Sequence, residues 1–386
     1  MRVLFIISDL TFGGAQTQVA EMARDFARRG HGAAIYTLND DVPRKAELAG
    51  TGVEVVADQK RSRLDLAVLG RLRRKILDWQ ADIVHGFLYD ADIYVRLAAL
   101  GTRATVLNSE RSDNYQLSRV QMLAHRLTRW MVDGVVANSA SGSRFAQRYF
   151  GYAERRMHVV WNGMRVEEFE RKAASTHDYR HEFFGPGLHK VACMVGHIKP
   201  AKDYPLALEV AAELIRMDPA WRVLFVGEAL GTTGAYSGGR DSDTNDYKRA
   251  VLQQYQALGL EEGGKVRFAG ARADAPAILA QCDVQLMTSR WEGFPNVVLE
   301  GMVLGVPVVS TDYSDIRMIL PRASQVVASR SPGDIARAVL AADRDREAIV
   351  AEQRRWVREH AGIEHAARKL EQVYEHYVRR DDRARA

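Results

Sequence analysis

The chain has 386 residues, of which 47% are apolar and 27% charged, and its formal net charge is +5. That length exceeds one ordinary hydrophobic core, so two domains are expected. Two cysteines are too few for a disulfide scaffold, and no apolar run approaches the roughly 20 residues of a membrane span.

In chain order, "RVLFII" near the N-terminus is a continuous apolar run of strand length. It reads as a buried first strand rather than a signal peptide, because a Gly-Gly turn follows and no small-residue cleavage site does. "GGAQTQVAEMARDFARRG" carries apolar residues at helical spacing and should stop at Gly30. "AAIYTL", "VEVV", "DIVHGFL", "ATVLNS" and "GVVANS" read as further strands, with helices between most of them. Near-continuous apolar strands alternating with helices imply a parallel sheet covered on both faces.

The second half repeats this pattern. "KVACMVG", "RVLFVG", "KVRFAG", "DVQLMTS" and "VPVVST" are expected strands, and Cys193 and Cys282 fall in such apolar runs as reduced, buried thiols. "DYPLALEVAAELIRM", "TNDYKRAVLQQYQALGL", "DAPAILAQ" and "PNVVLEGMVLG" are the intervening helices. The polar stretch between the halves reads as a linker. The expected division is an N-terminal α/β domain at 1–163, a linker at 164–189, a second α/β domain at 190–365, and a C-terminal helix and tail at 366–386. The last residues, "RRDDRARA", are expected to fray. Two doubly wound domains facing each other across a cleft would bind ligands beyond the C-terminal ends of their strands.

The loops after strands therefore matter most. Gly13-Gly14 opens a helix, where close backbone approach and free N–H groups suit an anion or a sugar hydroxyl. The spacing is not that of a dinucleotide fingerprint, and a plain strand-to-helix turn is the other reading. His85 ends a strand and can reach the cleft. Lys199 and Lys202 precede a helix for which Asp203 is a candidate N-cap. Glu292 lies in a loop. Glu300 lies one helical turn into an apolar helix, where a carboxylate costs several kcal/mol, roughly, unless satisfied. A ribose whose two hydroxyls donate to it would satisfy it; a buried Glu–Lys or Glu–Arg pair is the alternative.

The segment Gly259–Asp312, with Glu292 and Glu300 at E-x7-E spacing around Gly-Phe-Pro-Asn, resembles the group 1 (family four) retaining glycosyltransferases. "FGGAQ", "VWNGMRVEEF" and "VGHIKPAKDY" match in style. The resemblance implies the GT-B architecture of two Rossmann-like domains. It implies that Glu300 binds the donor ribose and Glu292 holds hydroxyls of the donor sugar near the reacting carbon. Backbone N–H groups of Gly293, Phe294, Asn296 and Val297 would orient sugar and diphosphate. Lys202 would neutralise the leaving diphosphate, and Gly13 and Gly14 would face it from the other domain. Fixed dipoles and a lysine stabilise such a leaving group without a metal, so no cofactor is expected. The donor would be a nucleotide-diphosphate sugar, with a UDP-sugar ranked ahead of a GDP-sugar.

The sequence departs from the family pattern in four places. His197 replaces an Arg, Gln16 replaces a Glu, and Met318 replaces a later Glu in a stretch without its Gly-Gly. The histidine expected after the fourth strand is absent from "VLNSERSDNY", where Ser109, Glu110 and Arg111 stand on the acceptor side and His85 could take part of its work. Asp241-Ser-Asp243 is a D-x-D, but its Gly/Ser-rich surroundings read as a solvated loop and not a metal site.

In "SRVQMLAHRLTRWMVD", Val120, Leu123, Leu127 and Trp130 share a helical face, with Arg119, Arg126 and Arg129 beside it. Core burial of that stripe is the favoured expectation, and contact with an anionic membrane the other. A second basic cluster, at Arg71, Arg73, Arg74 and Lys75, strengthens the membrane reading. The sequence thus points to a metal-independent retaining glycosyltransferase at the cytoplasmic side of a membrane, acting on a cell-surface glycan or lipid-linked saccharide. A nucleotide-sugar epimerase of the same architecture, or a degenerate nucleotide- or glycan-binding protein, are the alternatives. Nucleic acid is not an expected partner.

Overall fold

A computed structural model describes all residues except 12, 63–64, 112–116, 231–240 and 386, and describes the side chains of 241–244 and 379–385 no further than their backbone. The chain forms two compact units. One comprises Met1–Met164 together with Gly362–Ala386, the other Arg165–Ala361.

The first unit holds a seven-stranded sheet of β1 (Arg2–Ile7), β2 (Gly32–Thr37), β3 (Glu54–Ala57), β4 (Ile83–Phe87), β5 (Thr105–Glu110), β6 (Gly134–Ala137) and β7 (Met157–Val159). The order is β3-β2-β1-β4-β5-β6-β7, all parallel. Strand β1 shows why its sequence is uniformly apolar. Val3, Phe5 and Ile7 enter one core while Leu4 and Ile6 enter another on the opposite face. A strand covered on both sides has no solvent face to make polar.

The second unit holds β8 (Lys190–Val195), β9 (Trp221–Val226), β10 (Val266–Phe268), β11 (Val284–Met287), β12 (Val308–Thr311) and β13 (Val326–Val327). Their order is β10-β9-β8-β11-β12-β13, again parallel. Ala192 and Met194 of β8 serve one core, and Val191 and Cys193 the other. In each sheet the strand order reverses once, between β1 and β4 and between β8 and β11. Such a switch point opens a crevice at the C-terminal strand ends.

The domain boundaries differ from the sequence expectation at both crossings. Residues 164–189 are not a free linker. From Arg165 they form the helices Val166–Ala173 and Tyr179–Phe184, and Tyr179 is buried in the second unit's core. Its hydroxyl donates to Asp274 Oδ2 (3.0 Å), and Arg180 donates to the carbonyls of Gln281 and His189. The C-terminal helix begins at Ile363, is helical through Arg385 where fraying was expected, and belongs to the first unit. Ile363, Ala366, Ala367, Leu370 and Tyr374 supply one wall of the core beneath β1. Met164 pairs with Gly362, and the Ile363 N–H donates to the Met164 carbonyl (3.0 Å). A Cβ on Gly163 would stand 2.7 Å from Ile363 Cα, so this junction needs a glycine. Gln18 fixes the same turn, donating to the Gly163 carbonyl (2.8 Å) and accepting from its N–H (3.1 Å).

Candidate functional site

The second unit gathers most of the residues singled out by sequence. Beyond β8 the chain passes through Gly196 and His197 into the short turn Pro200–Lys202. Beyond β11 it runs through Glu292 into the helix Asn296–Val303. These two segments flank the switch point, so Lys202 and Glu292 meet: Lys202 Nζ lies 2.9 Å from Glu292 Oε1, and Lys202 is buried. Ser289 Oγ also donates to Glu292 Oε1 (3.3 Å). Burial works to raise the Glu292 carboxyl, but Lys202 and Lys199 outweigh it and hold the group below the ordinary carboxylate range. Lys199 is also pushed downward, by burial and by Lys202 beside it, with Glu292 opposing.

Glu300 sits one turn into the helix without such support. Burial lifts its carboxyl to about 7, only partly opposed by Lys202. Among the described residues none donates a hydrogen bond to it. Among the described residues the Glu–Lys or Glu–Arg ion pair that offered an alternative account of Glu300 is not formed, and Lys202 pairs with Glu292 instead. Beneath the helix, Gln285 donates to the Val297 carbonyl (2.8 Å). A Cβ on Gly301 would come within 1.8 Å of Gln285 Oε1, which explains the glycine directly after Glu300. The helix has no side-chain N-cap. Phe294 is buried, and the Gly293 carbonyl accepts from Ser314 Oγ (2.8 Å), which ties the Gly-Phe-Pro-Asn turn to the loop after β12.

Asp203 does not cap the helix Tyr204–Met217, as the sequence suggested. Its backbone is left-handed (φ 51°) and its side chain makes no capping bond. The buried carboxylate instead accepts from Arg290 Nε (2.8 Å) and Nη2 (3.2 Å) and from Arg330 Nη2 (2.6 Å). Around it, Thr288 Oγ1 donates to the Lys202 carbonyl (2.8 Å) and the Arg290 N–H donates to the Ala201 carbonyl (2.8 Å). Arg330 also donates to the carbonyls of Thr288 (2.9 Å) and Ser289 (3.3 Å). These bonds clamp the lysine turn onto the end of β11, which sets the Lys202–Glu292 distance. Sequence reading missed the clamp, since Arg330 is 127 residues from Asp203.

His197, in the place of the family's arginine, is exposed and lies 4.0 Å from Glu228 through Nδ1. Partial desolvation and the three nearby lysines lower its basicity, against the pull of Glu228. Glu228 is itself paired with buried Lys248 and accepts from the Ile198 N–H (3.1 Å). Tyr313 is another residue the sequence did not flag. Its hydroxyl is buried without a hydrogen-bond partner, and burial and the Glu292 charge raise it strongly.

The first unit holds the remaining residues. Gly13 precedes the helix Gly14–Arg28 in extended backbone, and the Gln16 side chain folds over it, 2.3 Å from where a Cβ would lie. Gln16 in turn donates to Asp9 Oδ1 (2.9 Å). His85 does not project from its strand end. It is fully buried, with Nδ1 2.6 Å from Tyr374 Oη and Nε2 3.0 Å from Ser109 Oγ. Burial, aided by Arg111, lowers its pKa to about 3, so the ring is neutral and both nitrogens are engaged within the core. This is a structural histidine, which corrects its expected catalytic place. Glu110 is buried at the end of β5. Arg111 reaches Asn162 and lies over the Phe87 ring (5.5 Å), its pKa lowered by burial to about 10. Residues 112–116 of that loop lie outside the described residues. Nearby Asp92, which the sequence reading passed over, is buried with Oδ1 unpartnered and its pKa raised by burial to about 8.

Among the described residues no group of three His, Cys, Asp or Glu is placed to hold a metal ion. The side chains of Asp241 and Asp243, and residues 231–240 before them, lie outside that description.

Two family descriptions match this chain: "Glycosyltransferase Family 4" over residues 12–168 and "Glycosyl transferases group 1" over 189–345. A D-inositol 3-phosphate glycosyltransferase of Streptosporangium roseum is 24% identical over 330 residues, covering 79% of this chain and 74% of that protein. The Vi polysaccharide biosynthesis protein VipC/TviE of Salmonella typhi is 27% identical over 155 residues, 40% of this chain and 24% of that longer protein. The lipopolysaccharide core biosynthesis mannosyltransferase LpsB of Rhizobium meliloti is 25% identical over 181 residues, 47% of this chain and 46% of its own. The chain thus spans less than half the length of the last two. Among solved structures, Anabaena Alr3699/HepE in complex with UDP superposes with a TM-score of 0.79 at 19% identity, over 97% of this chain and all of that one. That likeness, with the two parallel sheets, makes the fold GT-B. With its two halves matched in series, the chain belongs to the group 1 glycosyltransferases with a family four N-terminal domain.

Proposed function

We propose that this protein is a metal-independent, retaining glycosyltransferase that takes a sugar from a nucleotide-diphosphate donor, a UDP-sugar first. The acceptor is a cell-surface glycan or a lipid-linked saccharide, reached at the cytoplasmic face of a membrane. The observation that carries the donor assignment is Glu300: a half-buried carboxylate with no hydrogen-bond donor among the described residues, one turn into a helix with no side-chain cap. A ribose supplies the two missing donors. Its diphosphate then lies toward the helix N-terminus, where the helix dipole favours negative charge.

Lys202 and Glu292 divide the remaining work. Glycosyl transfer builds positive charge on the sugar and negative charge on the leaving phosphate. Lys202, supported by Lys199, meets the second, while Glu292 stays ionised and accepts from hydroxyls of the sugar. With the Glu292 carboxylate held by Lys202, it orients the sugar and does not attack it. Retention then proceeds on the face the diphosphate leaves, with the leaving phosphate taking the acceptor proton. The Anabaena protein was crystallised with UDP and with UDP-glucose, and relatives include polysaccharide and lipopolysaccharide enzymes, which supports this donor and acceptor class.

The test is calorimetric titration with UDP, GDP and ADP in the presence of EDTA, on the native chain and on Glu300→Ala. Binding of one diphosphate that the substitution abolishes is the expected result. No binding of any of the three to folded protein would overturn the donor site. Conversion of the donor sugar without an acceptor would instead identify an epimerase, and binding without turnover on any acceptor a degenerate binding protein.

A further inference from the structure

The helix Arg119–Thr128 and the turn that follows it contradict the expectation of core burial. Val120, Leu123, Leu127 and Trp130 are 77%, 54%, 65% and 65% exposed. The helix is held by its other face: His125 is buried and stacks on Phe150 (centroids 4.4 Å), its Nδ1 accepts from Arg96 (2.9 Å), and Met122 packs on the same core. A capping box of Ser118 and Gln121 closes its N-terminus, so the stripe is preformed and needs no folding on contact. Other exposed large apolar residues, such as Leu77, Leu100 and Val159, are scattered singly, which is ordinary; four within eleven residues on one face are not.

We propose that this stripe, with Arg119 and Arg126 beside it, seats the chain on an anionic lipid surface. The inference deepens the membrane placement proposed above and rests on it. Charge selects the occupant. No Asp or Glu occurs from Leu117 to Val132, and among the described residues Arg119 and Arg126 form no ion pair. A second copy of the chain would bring the same arginines against these, so self-association through this face is electrostatically opposed. An anionic headgroup layer satisfies the arginines while the apolar stripe and Trp130 enter the acyl boundary. Of the basic cluster at 71–75, which the sequence offered as a second anchor, Arg71, Arg73 and Lys75 are engaged within the protein. Arg71 pairs with Asp58 (2.6 Å), Lys75 with Glu54 (2.7 Å), and Arg73 donates to the carbonyls of Ala98 and Leu100.

Flotation of the full chain with phosphatidylcholine vesicles, and with vesicles that also contain phosphatidylglycerol, tests the proposal. The expected result is binding to the anionic vesicles, weakened on the order of tenfold without the anionic lipid or at high salt. Leu123→Glu/Leu127→Glu should abolish it, and Arg119→Ser/Arg126→Ser should remove its dependence on anionic lipid. Both are surface changes, so melting temperature and UDP titration should match the native chain. Failure of the native chain to float would overturn the membrane placement and this face with it. Full binding by the leucine variant would overturn the face alone. A native dimer that the leucine variant dissolves would assign the stripe to a second copy instead.

Discussion

The Asp203 carboxylate accepts a 2.6 Å hydrogen bond from Arg330 Nη2 across 127 residues of sequence, from a left-handed backbone position next to Lys202. The pair, completed by Arg290, holds the lysine turn against β11 and so fixes the charge facing Glu292.

Replacing Asp203 therefore separates two effects. Asp203→Ala should destabilise the fold by about 1 kcal/mol, because it removes the carboxylate that two half-exposed arginines hold and keeps a Cβ at positive φ without it. Asp203→Gly should recover part of that by relieving the backbone while still losing the arginines. Turnover should fall at least about tenfold in both, a loss of some 1.4 kcal/mol in the barrier. Urea melts and initial rates check this; equal melts for the two variants would refute the strain argument.

Lys202→Met should lower kcat by about 10²–10³-fold, the range seen when one fixed donor to a developing negative charge is removed. Lys199→Met should cost only a few-fold, since Lys199 does not touch Glu292 within the ion-pair distance that Lys202 does. Comparable losses in the two variants, measured as initial rates, would show that the lysines share the load.

Glu300 sets a pH dependence whose sign is opposite to that of a paired carboxylate. Its folded pKa of about 7 exceeds the ordinary 4.5, so the folded chain keeps a proton the unfolded chain releases. Ligand-free stability should fall as pH rises from 4.5 to 7, then level. Glu300→Gln should remove that slope and stabilise the free protein at pH 8 by about 2 kcal/mol. Ionised Glu300 is the form that accepts from ribose, so UDP affinity should rise up to roughly tenfold more between pH 6 and 8 in the native chain than in Glu300→Gln. Parallel pH profiles in the two, by calorimetry, would remove the ribose role.

His85→Phe tests the structural assignment of that residue. It strands the Tyr374 and Ser109 hydroxyls and should cost about 2 kcal/mol, with kcat within about threefold of native at permissive temperature. Because the ring is neutral in the fold and charges on unfolding, native stability should drop as pH falls from 6.5 toward 3, and the variant should show a shallower acid limb. A large kcat loss without a change in melting would restore a catalytic role.

Much of the architecture was legible because it is locally encoded. Two-sided burial makes a strand such as β1 or β8 apolar along its whole length, and that pattern needs no knowledge of the neighbours. The short edge strands β7 and β13 carry too few residues to show it, and neither was read. Glu292 and Glu300 stood out for a related reason. Their spacing is set by one loop and one helical turn, so nine residues of sequence contain the geometry.

What only the tertiary structure decided depends on partners far along the chain. His85 is closed off by Tyr374, 289 residues later, on a helix that the sequence placed outside the first domain. Asp203 looked like a helix cap because its local context is that of one, and Arg330 claims it instead. The stripe at Val120, Leu123, Leu127 and Trp130 has the periodicity of a core face, but His125 and Met122 won the core. Periodicity tells which residues share a face; which face the rest of the molecule covers is settled only by packing.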